Sequence, residues 1–141
     1  MKVVPRVDAL QWPDITLQLD SEGYALLPPL LSVEECQDLY SLYVDDRLFR
    51  STIDMSRFNF GRGEYRYFRY PLPDTVSALR EALYPPLAVI ANDWAKRLRI
   101  EMRWPDTLYA FTEKCHARGQ TRPTPLLLRY GVDDYNCLHQ D

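Results

Sequence analysis

Leu126-Leu127-Leu128-Arg129-Tyr130-Gly131-Val132-Asp133-Asp134-Tyr135-Asn136-Cys137-Leu138-His139-Gln140-Asp141 is the stretch that decides how this chain folds. Its leucines and Tyr130 predict a buried strand over 126–130. Gly131 to Asp134 has the composition of a turn, and 135–141 reads as a second strand. Side chains two apart on a strand point the same way. His139 and Asp141 are therefore expected to present an imidazole and a carboxylate on one face.

One imidazole and one carboxylate make up two thirds of the facial triad that holds non-haem Fe(II) in oxygenases. A third ligand is needed, and the other three octahedral positions stay open for co-substrate and oxygen. An H-x-D tripeptide alone is frequent by chance, and an ordinary polar chain end reads the same way. Cys115, His116, Cys137 and His139 fail as a zinc set, because neither pair has the spacing of a finger. His116 is better read as a polar residue near the negative end of a helix.

Moving toward the N-terminus, the expected elements are mostly helical. Asp106 is expected to start a helix with Leu108, Phe111 and Cys115 inward and Gly119 as its stop. Asp74 is expected to cap a helix carrying Val76, Leu79 and Leu83. Pro85-Pro86 then interrupts, and a further helix carries Leu87, Ile90, Trp94 and Leu98. Ser32-Val33-Glu34-Glu35 is a capping box, S-x-x-E, opening a helix with Cys36, Leu39 and Tyr43 on one side. The run 23–27 predicts a short strand ended by Pro28-Pro29, and a short helix is expected around Asp8 to Trp12. Helices first and strands last give an α+β chain, a helical layer against a few strands.

The chain has 141 residues, one domain's worth, with 46% hydrophobic residues and 13% aromatics, enough for a core. Its net charge of −3 argues against a general polycation. No stretch approaches the roughly 20 apolar residues of a membrane span, and no secretory signal opens the sequence. Cys36, Cys115 and Cys137 are odd in number and far apart, which suits a reducing, cytoplasmic setting.

One segment runs against the overall acidity. Residues 47–70 carry six arginines against two acidic residues, interleaved with Phe49, Phe58, Phe60, Tyr65, Tyr67, Phe68 and Tyr70. Guanidinium groups bind phosphates and rings stack on unpaired bases. Arg62, Arg66, Arg69 and Tyr67 are the substrate-binding candidates. The plainer reading is a strand packing one face inward with a solvated Arg face. The competing function class is a non-enzymatic nucleic-acid-binding domain built on this segment.

The spacing from Arg129-Tyr130 to His139-Gln140-Asp141 resembles the 2-oxoglutarate- and Fe(II)-dependent oxygenases, in particular the AlkB-type alkylation-repair branch. That branch has an Asn two residues before the Tyr, where this chain has Leu128. Phe60-Gly61-Arg62-Gly63-Glu64-Tyr65, Tyr70-Pro71-Leu72-Pro73, Ala91-Asn92-Asp93-Trp94 and residues 119–128 look like a bacterial family described as acting in oxidative demethylation of damaged DNA. The resemblance runs from about Gly23 to Asp141.

That resemblance implies a double-stranded β-helix, or jelly roll, preceded by helices. It implies Fe(II) on His139, Asp141 and a later His, with 2-oxoglutarate as co-substrate and ascorbate as an auxiliary reductant. Tyr130 hydrogen-bonds the 2-oxoglutarate, and a later Arg pairs with its far carboxylate. The substrate is a methylated base in DNA or another nucleic acid, whose hydroxylated methyl leaves as formaldehyde. On this reading residues 1–141 are one domain, the N-terminal part of an oxygenase ending just after the H-x-D pair. Little or no turnover is then expected from these residues alone.

Overall fold

A computed structural model describes residues 3–139. The chain divides into two compact units. One comprises the chain up to Glu35 together with Pro73–Thr121, and the other comprises Cys36–Leu72 together with the chain from Arg122.

The first unit is helical. Helices α1 (Val3–Asp8), α2 (Trp12–Glu22), α4 (Asp74–Arg97) and α5 (Leu108–Ala117) lie in it. Its core is Val3, Val7, Leu10, Ile15 and Ala78, with Val3 and Val7 1% exposed. The expected helix over Asp8–Trp12 is instead a break between α1 and α2. Pro13 lies in the first turn of α2, where its missing N–H costs nothing, so a helix begins there. Gly23 closes α2 in the left-handed conformation (φ +79), its N–H donating to Leu19 O at 3.1 Å. The residues after it form no strand. Leu26 is exposed and finds no strand to pair with.

Helix α4 corrects the sequence reading most plainly. One helix of 24 residues runs through Pro85 and Pro86 where two were expected. Buried positions on both sides of the prolines, Ala78 before and Ala88, Ile90 and Ala95 after, hold it as one element. Tyr84 adds a bond to Pro105 O (2.9 Å) and a stacked contact with Phe111. Packing here outweighs the roughly 3 kcal/mol that an interior proline costs. Asn92 fixes the segment before α5: its Nδ2 donates to Trp104 O (2.9 Å) and its Oδ1 accepts from Trp104 N (2.8 Å).

The capping box forms as its sequence predicts and opens α3 (Val33–Ser41). Ser32 Oγ accepts from Glu35 N at 3.2 Å, and Glu35 Oε2 accepts from Ser32 N at 2.7 Å. Arg6 also pairs with that carboxylate. Thr107, rather than Asp106, caps α5, accepting from Ala110 N at 3.2 Å.

The second unit carries the sheets. Strands β1 (Phe49–Asp54), β3 (Glu64–Phe68) and β4 (Leu126–Arg129) form an antiparallel sheet in the order β1-β3-β4. Strands β2 (Gly61–Arg62) and β5 (Tyr135–Asn136) form a separate antiparallel ladder. The second predicted strand is thus only two residues long, because its partner offers only Gly61 and Arg62. His139 lies beyond it, outside any strand. Among the described residues no helix is long and apolar enough to cross a membrane.

Candidate functional site

Register sorts the three-stranded sheet into two faces. Tyr65 lies opposite Ile53 and Leu128, and Tyr67 opposite Leu126. Directly opposed residues share a face, so these side chains form one surface. Glu64 opposite Arg129 and Arg66 opposite Leu127 form the other.

The first face lines a cavity of about 610 Å³. Tyr65, Tyr67, Leu126 and Leu128 make its floor, Phe60 and Asn59 one wall, and Asn136 to His139 another. The rings of Tyr65 and Tyr67 meet edge to face at 5.6 Å. Burial, then the neighbouring Tyr67, pushes the Tyr65 phenol above its ordinary pKa. The Tyr65 phenol thus remains a neutral hydrogen-bonding group at physiological pH.

His139 borders this cavity. Its Nδ1 lies 2.9 Å from Cys137 O. A carbonyl only accepts, so Nδ1 is the donor in that bond and Nε2 is the ring nitrogen left for a metal. Metal-binding histidines are commonly oriented in this way, with the second nitrogen held by a carbonyl. The donor chemistry of His139 therefore fits a metal ligand. Asp141, its expected partner, lies outside the described residues. Among the described residues no three His, Cys, Asp or Glu side chains gather around one point. His116 sits on the last turn of α5, 3.9 Å from Glu113.

Tyr130 is placed elsewhere. It borders a second cavity of about 360 Å³ with Cys36, Leu39, Tyr40, Tyr43 and Arg129. Its ring rests on Gly63, where an added Cβ would lie 2.8 Å from Cδ1. His139 and Tyr130 thus border different cavities. The signal for this lies in the glycine: Phe60-Gly61-Arg62-Gly63 leaves a gap that a ring fills.

The arginine candidates separate. Arg66 is engaged within the protein, its side chain 12% exposed. It donates to Tyr43 O, to Thr52 Oγ1 (3.0 Å) and to Asp46 (2.6 Å). Its guanidinium lies 4.4 Å from the Phe49 ring centroid and 5.4 Å from that of Tyr43. Sequence reasoning missed this because alternation along β3 does not reveal that a 3-10 turn, Leu42–Val44, supplies a buried Tyr43 beneath the arginine. Arg62 is 62% exposed and pairs with Asp134 at 2.9 Å. Arg69 is exposed, and Tyr67 borders the cavity with His139.

A family described as "Oxygenase, catalysing oxidative methylation of damaged DNA" matches residues 63–141. The chain belongs to this oxygenase family. The matched span contains the cavity floor, Tyr130 and His139. Two uncharacterized proteins of Mycobacterium tuberculosis, from strains CDC 1551 and ATCC 25618, are each similar to it at 49% identity over 74 residues. The match covers 52% of this chain and 32% of each relative, so the chain spans about a third of their length. No solved structure matches the chain.

Proposed function

We propose that this chain is the metal-binding part of a 2-oxoglutarate- and Fe(II)-dependent dioxygenase that acts on methylated bases of damaged nucleic acid. The observation that carries the reading is His139 at the rim of the tyrosine-floored cavity, its Nδ1 tied to Cys137 O. His139 and Asp141 would hold the iron. Tyr130, which borders the other cavity, is not brought to it here, so the contact to 2-oxoglutarate expected of it would need another arrangement of the 129–131 segment. Bound iron with 2-oxoglutarate supplies the oxidising power to hydroxylate a methyl C–H. The antiparallel β1-β3-β4 sheet and the β2-β5 ladder are read as strands of a double-stranded β-helix.

The chain's own residues do the rest. A cavity of about 610 Å³ has room for a single base. Phe60, Tyr65 and Tyr67 offer ring faces for stacking, and Asn59 and Asn136 offer amides for a base edge. A base in such a pocket must be flipped from a duplex or taken from a single strand. Arg69, exposed just after β3, would meet the backbone phosphate.

Anaerobic titration of the chain with Fe(II), or with Co(II) as a spectroscopic surrogate, tests the ligands. Affinity should fall at least about tenfold with His139→Ala or Asp141→Ala. Metal binding that ignores both changes would overturn the assignment. Formaldehyde release from methylated single-stranded DNA that needs both Fe(II) and 2-oxoglutarate tests the chemistry. Release without 2-oxoglutarate would point to another oxygenase class.

A further inference from the structure

Phe60-Gly61-Arg62-Gly63 runs antiparallel to the segment that leads into His139. Gly61 pairs with Asn136 and Arg62 with Tyr135. Cys137 N donates to Phe60 O at 2.8 Å, extending the contact to within two residues of the imidazole. The approach is close enough that a Cβ on Gly61 would lie 2.2 Å from Tyr135 O. Just before this segment, the turn between β4 and β5 is closed by Asp134. Its Oδ2 accepts from Gly131 N at 2.8 Å, and Asp134 N donates to Gly131 O at 3.2 Å. The other oxygen of the same carboxylate accepts from Arg62 Nε at 2.9 Å.

One carboxylate therefore ties three things together: the start of the turn, its end, and the strap beside it. The turn separates Tyr130 from the His139 segment. We infer that Arg62 is a positioning residue, which latches the 131–134 turn through Asp134 and so fixes where the Cys137–His139 segment lies against the cavity. Its importance to the reaction rests on the iron reading above, because only then does the placement of His139 matter to a metal.

A two-residue ladder cannot hold this segment firmly by itself. Among the described residues, this ion pair and the bond from Cys137 N to Phe60 O reinforce the ladder. An exposed pair contributes little to global stability, so its loss should loosen the segment locally rather than unfold the chain. That separates latching from a general structural role.

The experiment measures amide hydrogen exchange at Gly131 and Cys137 in the full chain, alongside metal affinity. Arg62→Gln should speed exchange at both amides roughly three- to fivefold, with the amides of β3 unchanged. Arg62→Lys, which keeps the cation, should restore most of the protection. Metal affinity should fall with Arg62→Gln and recover with Arg62→Lys. Unchanged exchange in Arg62→Gln overturns the latch. So does faster exchange with unaltered metal affinity in a chain whose His139→Ala variant loses the metal. If His139→Ala leaves metal binding intact, the iron reading fails, while the latch still stands or falls on the exchange.

Discussion

The phenol of Tyr43 donates to Oε1 of Glu64 at 2.7 Å, beneath the guanidinium of Arg129, which pairs with the same oxygen at 3.1 Å. Burial first, and then the bond to Glu64, pushes the Tyr43 phenol up to about 12. In the unfolded chain a tyrosine ionises near pH ~10. The folded state thus favours the neutral phenol. Its stabilising contribution is complete below pH ~10 and disappears as pH rises through about 12. Urea midpoints measured from pH 8 to 12 should fall across that window. Tyr43→Phe should cost about 1 kcal/mol at pH 7 and flatten the alkaline fall, whereas an unchanged profile would remove Tyr43 as its source.

The glycines beside Arg62 should differ from the one after α5. Gly63 has φ +145, and a Cβ there meets the Tyr130 ring at 2.8 Å. Gly63→Ala should cost about 1–3 kcal/mol and move Tyr130. Gly61→Ala should cost more, since its Cβ meets backbone rather than a ring that can shift. Gly119 has φ +88 with nothing within 4 Å of its Cβ position. Gly119→Ala should therefore show only conformational strain, about 1 kcal/mol. Thermal melts of the three variants check the order.

Arg66 and Arg69 should exchange the roles that their sequence suggests they share. Arg66→Ala removes bonds to Tyr43 O, Thr52 and Asp46 and a cation from the Phe49 ring. A loss of about 2–4 kcal/mol is expected. Arg69→Ala should change stability by less than about 0.5 kcal/mol. It should instead weaken single-stranded DNA binding and lower the slope of log affinity against log salt by about 1. Equal stability losses for the two variants would contradict this division.

The capping box offers a local test. Glu35→Ala removes the acceptor for Ser32 N and the partner of Arg6. About 1–2 kcal/mol should be lost, measurable as a drop in the denaturant midpoint.

Local signals were legible in this sequence, and long-range ones were not. Ser32 and Glu35 announce their helix because a capping box is satisfied within four residues. The strand alternation within 47–70 and the turn at 131–134 are likewise written in adjacent residues. Pro85-Pro86 misleads because the packing that overrides it comes from residues on both sides, including Phe111, more than 20 positions away. The 135–141 segment looks like a strand, yet a ladder needs a partner, and Gly61-Arg62 is only two residues long. Of the candidate site, His139 could be chosen from residue type and spacing. Its cavity could not, because the floor comes from β3 and β4, which are brought together only by folding.

The sheet has two faces with separable duties. On one, Tyr43, Glu64, Arg66 and Arg129 form a lattice of charges and rings. On the other, Tyr65, Tyr67, Leu126 and Leu128 line the cavity, with the Arg50 guanidinium over the Tyr67 ring at 4.4 Å. Residues of the second kind can be exchanged without dismantling the first. The pocket can therefore be reshaped toward larger or smaller guests, by redesign or by natural drift, on a scaffold whose integrity is secured on its far side.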